Sequence, residues 1–293
     1  MSEKVIDGKA VAEKIKDGLK ADIEALAAKG VVPGLAAVLV GDDPASQIYV
    51  SNKAKACKKV GLYSEVIKRP ADFTEKELID LVEELNRRPE IHGILVQSPL
   101  PKHISEPDMV LKIDPAKDVD GFHPINMGKM LLGRPGFLPC TPLGIIRLLE
   151  EIGVNPQGKK VVILGRGNIV GKPLAAMLMQ KWPGCNATVT VCHTGTADIA
   201  AETRRADIII AAIGKPRFVT PDMIKDGVVI IDVGVNRVDD PAYEKGYYIC
   251  GDVDFEGCLP RASRITPVPG GVGPMTIAML MYNTVRAAKA ITG

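Results

Sequence analysis

Apolar and polar positions alternate along this chain with two periods, and the switches between them outline the elements. After Asp7, the apolar residues Val11, Ile15, Leu19, Ile23 and Leu26 fall on one face of a helix that stops near Gly30. Leu35 to Val40 is an unbroken apolar run behind Pro33-Gly34, the pattern of a buried strand. A helix is predicted from the turn at 41–44 to Gly61, and a more polar one from about Thr74 to Asn86. Ile91 to Gln97 is the next strand, closed by Ser98-Pro99-Leu100-Pro101. Strand and helix in alternation predict a parallel sheet with crossover helices.

The stretch from Pro115 to Pro142 is rich in turn formers and reads as a loop-bearing domain junction. Beyond it the pattern restarts. Strands are predicted at 160–164, 188–192, 207–213 and 228–233, and a helix over about 169–179. Short, fully apolar, β-branched strands separated by helices predict a doubly wound sheet. A last helix, 275–290, follows the Pro/Gly-rich segment TPVPGGVGP at 266–274.

Composition narrows the classes. The chain has 293 residues, enough for about two domains. Hydrophobic residues make up 46% and charged residues 25%, a globular balance that argues against disorder. The net charge of +2 leaves no electrostatic footprint for nucleic acid or an anionic membrane. The N-terminal segment is charged throughout, unlike a signal peptide, and no apolar run approaches membrane-spanning length, so a cytoplasmic protein is expected. The six cysteines form no CxxC pair and read as reduced thiols; the four histidines are scattered, so no metal site is expected.

Two segments carry candidate chemistry. The loop GRGNIVGKP (165–173) has glycines at 165, 167 and 171, one residue longer than the usual dinucleotide spacing. Such a turn lets phosphates approach the backbone at a helix start, although a merely tight strand-to-helix turn has the same composition. The second strand of this half ends Cys192-His193-Thr194-Gly195, without the acid that binds the ribose of NAD. Arg166 and Thr194 suit a 2′-phosphate instead, so NADP is favoured over NAD. Asp198 reads as a helix-start residue. Elsewhere, Tyr49 and Lys53 stand four apart on one helix face. Within the basic run Lys53, Lys55, Lys58, Lys59, Lys53 taken alone reads more readily as a solvated lysine than as a proton carrier. Gln97 ends an apolar strand, where parallel sheets present ligand-facing groups, and Asp118 and Asp120 flank Val119 on opposite sides of an extended loop. Cys57, a turn beyond Lys53, reads as a core residue.

These segments, together with SQIYVSNKAKAC (46–57), GILVQSPLP (93–101), DPAKDVDGFHPINMG (114–128), PCTPLGI (139–145), DVGVNR (232–237), GDVDF (251–255) and TPVPGGVGPMT (266–276), resemble the bifunctional methylenetetrahydrofolate dehydrogenase/methenyltetrahydrofolate cyclohydrolase family over essentially the whole chain. The resemblance implies an α/β fold of two domains. One is an N-terminal folate-binding catalytic domain (1–140) completed by the C-terminal helix 275–293; the other is a Rossmann-type NADP domain (141–274). It implies a cytoplasmic homodimer with its active site between the domains, acting in tetrahydrofolate interconversion and purine biosynthesis. It implies Lys53 as principal catalytic residue, with Gln97 tuning its protonation, Tyr49 ordering Lys53 and water, and Asp120 holding the pterin. Folate contacts are implied for Val96, Ser98, Pro269, Gly270, Gly271, Val272 and Gly273. Cofactor contacts are implied for Gly165, Arg166, Gly167, Thr194 and Val235, and further for Cys140, Thr141 and Thr276. The chain departs from the family pattern at Gly167, usually Ser, and at Thr194-Gly195, commonly Ser followed by Lys or Arg. Both departures remove 2′-phosphate partners, which leaves NAD or dual use open. The competing readings are an NAD-specialised dehydrogenase with weak cyclohydrolase activity and a nucleotide-sensing protein without turnover.

Overall fold

The computed structural model describes residues 3–292. They divide into two units: residues 13–140 with 277–292, and residues 3–12 with 141–276. All three divisions fall inside helices, so the units are continuous along the chain at those points.

The first unit is built on α1 (Gly8–Ala27), β1 (Gly34–Val40), α2 (Pro44–Val60), β2 (Tyr63–Arg69), α3 (Glu75–Arg87), β3 (Gly93–Val96), α4 (Glu106–Val110) and α5 (Pro124–Leu131), with α6 (Cys140–Glu151) beginning at its edge. Its sheet is parallel, in the order β2-β1-β3. Every residue of central β1 is buried, as its apolar run requires. Leu78, Leu81, Val82 and Leu85 of α3 close a core over Ala36, Val38, Val40 and Ile94. A capping box between Thr74 and Glu77 starts α3.

Strand β2 is absent from the periodicity reading. Only Ile67 of YSEVIKR is buried, and Glu65, Lys68 and Arg69 sit on this edge strand. Charges are normal at a sheet edge and hide the strand from a search for apolar runs. The 115–142 stretch, read as loop, also holds α5. His123 caps it by accepting from the Ile125 N–H at 3.1 Å, and Pro124 opens it.

The second unit contains β4 (Lys160–Leu164), α7 (Gly171–Leu178), β5 (Thr188–Cys192), α8 (Ile199–Arg204), β6 (Ile208–Ala211), β7 (Val229–Asp232), a hairpin of β8 (Asn236–Asp239) and β9 (Tyr247–Cys250), α9 (Phe255–Cys258), β10 (Arg264–Ile265) and most of α6. The chain ends in α10 (Val272–Thr292), which starts here and crosses to the first unit at residue 277. The parallel sheet runs β10-β7-β6-β4-β5. Counted from β4 this is the doubly wound order 2-1-3-4-5, whose switch point lies between β4 and β6. Its core includes Val162, Leu164, Ile209, Ile230 and Ile265.

Residues 3–12, expected with the first domain, group with this second unit for a main-chain reason. Ile6 N–H donates to the Ile265 carbonyl at 2.8 Å, and Ile265 N–H returns to Lys4 at 2.8 Å. The segment thus extends the sheet beside β10. A two-residue strand has too little length to show a period, so its partner is invisible in the sequence.

Candidate active site

Helix α2 is fixed at both ends. Asp43 caps it by accepting from the Ser46 N–H at 2.7 Å, and Gly61, at φ +93°, ends it in the left-handed region that favours glycine. Between these caps Tyr49, Lys53 and Cys57 share one face and descend from solvent to core: Tyr49 is 49% exposed, Lys53 is half-buried and Cys57 is fully buried. Lys53 is therefore not the solvated lysine its neighbours suggest. Its Nζ donates to Gln97 Oε1 at 3.0 Å, where the chain leaves β3. The Gln97 amide N–H in turn donates to the Ser98 carbonyl, which aims the amide oxygen at the lysine.

Burial pushes the Lys53 ammonium below the ordinary lysine range, against Asp120, Cys140 and Cys57, which pull it up. Burial likewise raises the Asp120 carboxyl; Lys53 opposes that rise and Asp118 adds to it. Cys140 is buried, and burial with nearby Asp120 holds its thiol well above the usual range, so it is no nucleophile.

The two aspartates have different partners. Asp118 is buried and accepts from the N–H groups of Gly121 at 3.1 Å and His123 at 2.9 Å and from Asn126 Nδ2 at 2.8 Å. It builds the loop; Asp120 is left beside Lys53. Gly121, at φ +82°, allows the chain to turn there, since a Cβ would lie 2.5 Å from the Leu138 carbonyl carbon. One supporting residue escaped the sequence reading. Asn283 of α10 is buried and donates to the carbonyls of Val119 at 2.8 Å and Leu138 at 3.0 Å, clamping the strip that carries Asp120. A polar residue amid the apolar pattern of α10 was the available signal. Val96 is half-buried and Ser98 exposed beside Gln97.

In the second unit the glycine loop leaves β4 at its switch point. Gly165 has φ +112°, and a Cβ there would lie 2.1 Å from the Ala212 carbonyl oxygen; one at Gly171 would lie 2.1 Å from the Gly165 carbonyl oxygen. Both glycines are required for strand, loop and helix to close together. Gly167 is different, with open space around its missing Cβ. No side chain caps α7 at Val170. A cradle of backbone with an uncapped helix start fits a dinucleotide pyrophosphate. Asp198 caps α8 through the Ala201 N–H at 2.9 Å, the helix-start role read for it. Arg166 Nη1 lies 3.5 Å from His193 Nε2, while Thr194 and Val235 are exposed. Thr141 and Thr276 are joined through their hydroxyls at 2.9 Å. The Pro269–Gly273 loop belongs to this same unit. The sequence-predicted residues thus form two groups: Lys53, Gln97 and Asp120 in one unit, with Tyr49 a turn away on α2, and Arg166 and its glycines in the other.

Asp232 of the DVGVNR motif and Asp252 of the GDVDF motif hold loops in place. Asp252 is buried and accepts from the N–H groups of Ile213 at 2.6 Å, Gly214 at 2.9 Å and Lys215 at 3.0 Å, holding the loop after β6. Asp232, pushed up to about 7 by burial, accepts from Gly234, Asp252 and Val253 N–H groups, each at 3.0 Å.

A doubly wound unit with a backbone phosphate cradle, and a second α/β unit presenting a desolvated lysine beside a carboxylate, define an enzyme that pairs a dinucleotide with proton transfer. The chain belongs to the tetrahydrofolate dehydrogenase/cyclohydrolase family. The catalytic-domain model of that family matches residues 6–120, and its NAD(P)-binding-domain model matches residues 139–292. The chain is 53% identical over 285 residues to the bifunctional protein FolD of Nautilia profundicola, covering 97% of each. It also resembles the crystal structure of the bifunctional FolD methylenetetrahydrofolate dehydrogenase/cyclohydrolase from Campylobacter jejuni, with TM-score 0.92, 50% identity and 98% of each chain covered. A Trypanosoma brucei methylenetetrahydrofolate dehydrogenase-cyclohydrolase, solved with NADP cofactor and inhibitor, matches with TM-score 0.91 and 41% identity over 98% of this chain and 97% of that one. Among the described residues, no helix is long and apolar enough to cross a membrane, and no cluster of side chains could hold a metal ion.

Proposed function

We propose that this chain oxidises 5,10-methylenetetrahydrofolate to the methenyl form with NADP and then hydrolyses that product to 10-formyltetrahydrofolate, with Lys53 as the proton carrier. The observation that carries the assignment is the half-buried Lys53 ammonium, 3.0 Å from Gln97 Oε1 and held below its ordinary range by burial. NADP, when bound, takes the hydride of the bridging carbon. Gly165, Gly171 and the start of α7 hold its pyrophosphate; Arg166, with Thr194, meets its 2′-phosphate, and Val235, Thr141 and Thr276 border it. NAD remains the weaker alternative, given the open space at Gly167.

In the second step water adds to the cationic methenyl carbon. Lys53 takes the proton in its neutral form, and returns one as the ring opens. A lysine lowered by desolvation reaches the neutral form more readily than a solvated one, and the cationic substrate drives it further that way. Gln97 fixes the Nζ position, Tyr49 orders water beside it, and Asp120 binds the polar edge of the pterin. Val96, Ser98 and the 269–273 loop contact folate. The chain acts as a cytoplasmic homodimer and supplies formyl groups for purine biosynthesis. An absorbance assay with methylenetetrahydrofolate and each cofactor tests the reading: reduced cofactor and then loss of the methenyl chromophore are expected, faster with NADP. Reduced cofactor without methenyl decay would refute the second activity.

A further inference from the structure

The turn after β5 holds a hydrogen-bond donor that the reading above does not use. His193 follows the last residue of β5. Its N–H donates to Thr196 Oγ1 at 2.9 Å, and the Thr196 N–H returns to the His193 carbonyl at 2.8 Å. Inside this turn the Gly195 N–H donates to His193 Nδ1 at 3.0 Å. A ring nitrogen that accepts carries no hydrogen, so the turn selects the imidazole with its hydrogen on Nε2. That Nε2 lies 3.5 Å from Arg166 Nη1. A guanidinium nitrogen can only donate. Two N–H groups side by side cannot satisfy each other; an anionic oxygen shared between them satisfies both. Gly195 permits the arrangement, because a Cβ there would lie 3.2 Å from Cε1 and 3.3 Å from Nδ1 of the ring. The place is also right for a ribose substituent, since β5 is the strand beside β4 and its end is where the ribose of a dinucleotide at the glycine loop is read.

We infer that His193 is a specificity-determining residue, pairing its Nε2–H with Arg166 to clamp the 2′-phosphate of NADP. The inference rests on the proposed use of NADP and extends it. It also explains how the chain does without a hydroxyl at 167 and a basic side chain at 195: the small Gly195 seats the imidazole in their stead.

The test is equilibrium binding of NADP and of NAD to the full chain and to variants at this turn, followed by titration calorimetry. His193→Asn keeps an acceptor where Nδ1 stands and so keeps the turn, but loses the Nε2 donor. The NADP-over-NAD affinity ratio is expected to fall about tenfold, the loss of one hydrogen bond to a charged group. His193→Gln, whose amide N–H reaches toward the place of Nε2, recovers part of that ratio. Gly195→Ala, which displaces the ring, lowers it. An unchanged ratio in His193→Asn, or equal weakening of both cofactors, would overturn the clamp. Failure of the proposed function shows differently: the wild-type chain would bind NADP yet not oxidise methylenetetrahydrofolate, and the binding ratio would still decide the clamp.

Discussion

The two units share their winding and differ in what they place beyond it. The β2-β1-β3 sheet and the β5-β4-β6 portion of the larger sheet are both parallel with the first strand in the centre, so each has a switch point beside that strand. In the second unit the chain leaves β4 through glycines and enters α7 with no side-chain cap, so the proposed cofactor would meet backbone N–H groups there. In the first unit it leaves β1 through Asp43, whose carboxylate caps α2. An acid at a helix start repels a phosphate, and under the proposed function the groups that meet the ligand here are side chains: Lys53 from the third turn of α2 and Gln97 from the end of β3. On the proposed function, the same topology yields a charge-binding cradle when side chains are deleted and a proton-transfer site when a charged one is half-buried.

The sharpest break of this comparison is at Lys53. Lys53→Met should lower the cyclohydrolase rate by roughly 10²–10⁴-fold, the range for loss of a general acid–base group. NADP affinity, set in the other unit, should be unchanged by titration. Next is Gly165→Ala, which forces a Cβ to within 2.1 Å of a carbonyl oxygen at φ +112°. It should cost about 1–3 kcal/mol of stability from backbone strain alone. Denaturant unfolding reads that loss, and NADP binding should fall with it.

Asp120→Asn gives a smaller and directional effect. Asp120 raises the Lys53 pKa against burial, so removing its charge lowers that pKa further. If neutral Lys53 is the active base, the acid limb of the cyclohydrolase pH profile moves to lower pH; movement to higher pH would reverse the assigned coupling. The smallest effect is expected of Gly167→Ser. Its Cβ enters open space, so folding is undisturbed, and the added hydroxyl should raise the NADP-over-NAD preference by about three- to tenfold, one hydrogen bond's worth.

The two units were not equally legible in the sequence. β1 and β4 stand out as apolar runs, and α2 is bounded by the turn at 41–44 and by Gly61. The glycine loop is readable because Gly165 and Gly171 are demanded by the backbone itself. Strand β2, charged on a sheet edge, and β10, two residues long, carry no period that a window can detect. The pairing of residues 3–12 with β10 is a long-range main-chain contact, which local pattern does not encode. At the site, motif resemblance singled out Lys53, but its helix argued for a solvated lysine. What changes its character is burial beside Gln97, Asp120 and Cys140, which lie 44 residues and more away along the chain. The paired roles of Asp232 and Asp252 are visible only once the loops they bind have been folded.

The division of labour rests on one property, the depressed basicity of Lys53. It can be measured by following the Cε resonances of isotope-labelled lysines through a pH titration, with the Lys53 signal assigned by its loss in Lys53→Met. The account predicts a midpoint below that of an ordinary lysine, about 10.4, and lower still in Asp120→Asn. A midpoint at or above the ordinary value, unmoved by Asp120→Asn, would contradict it.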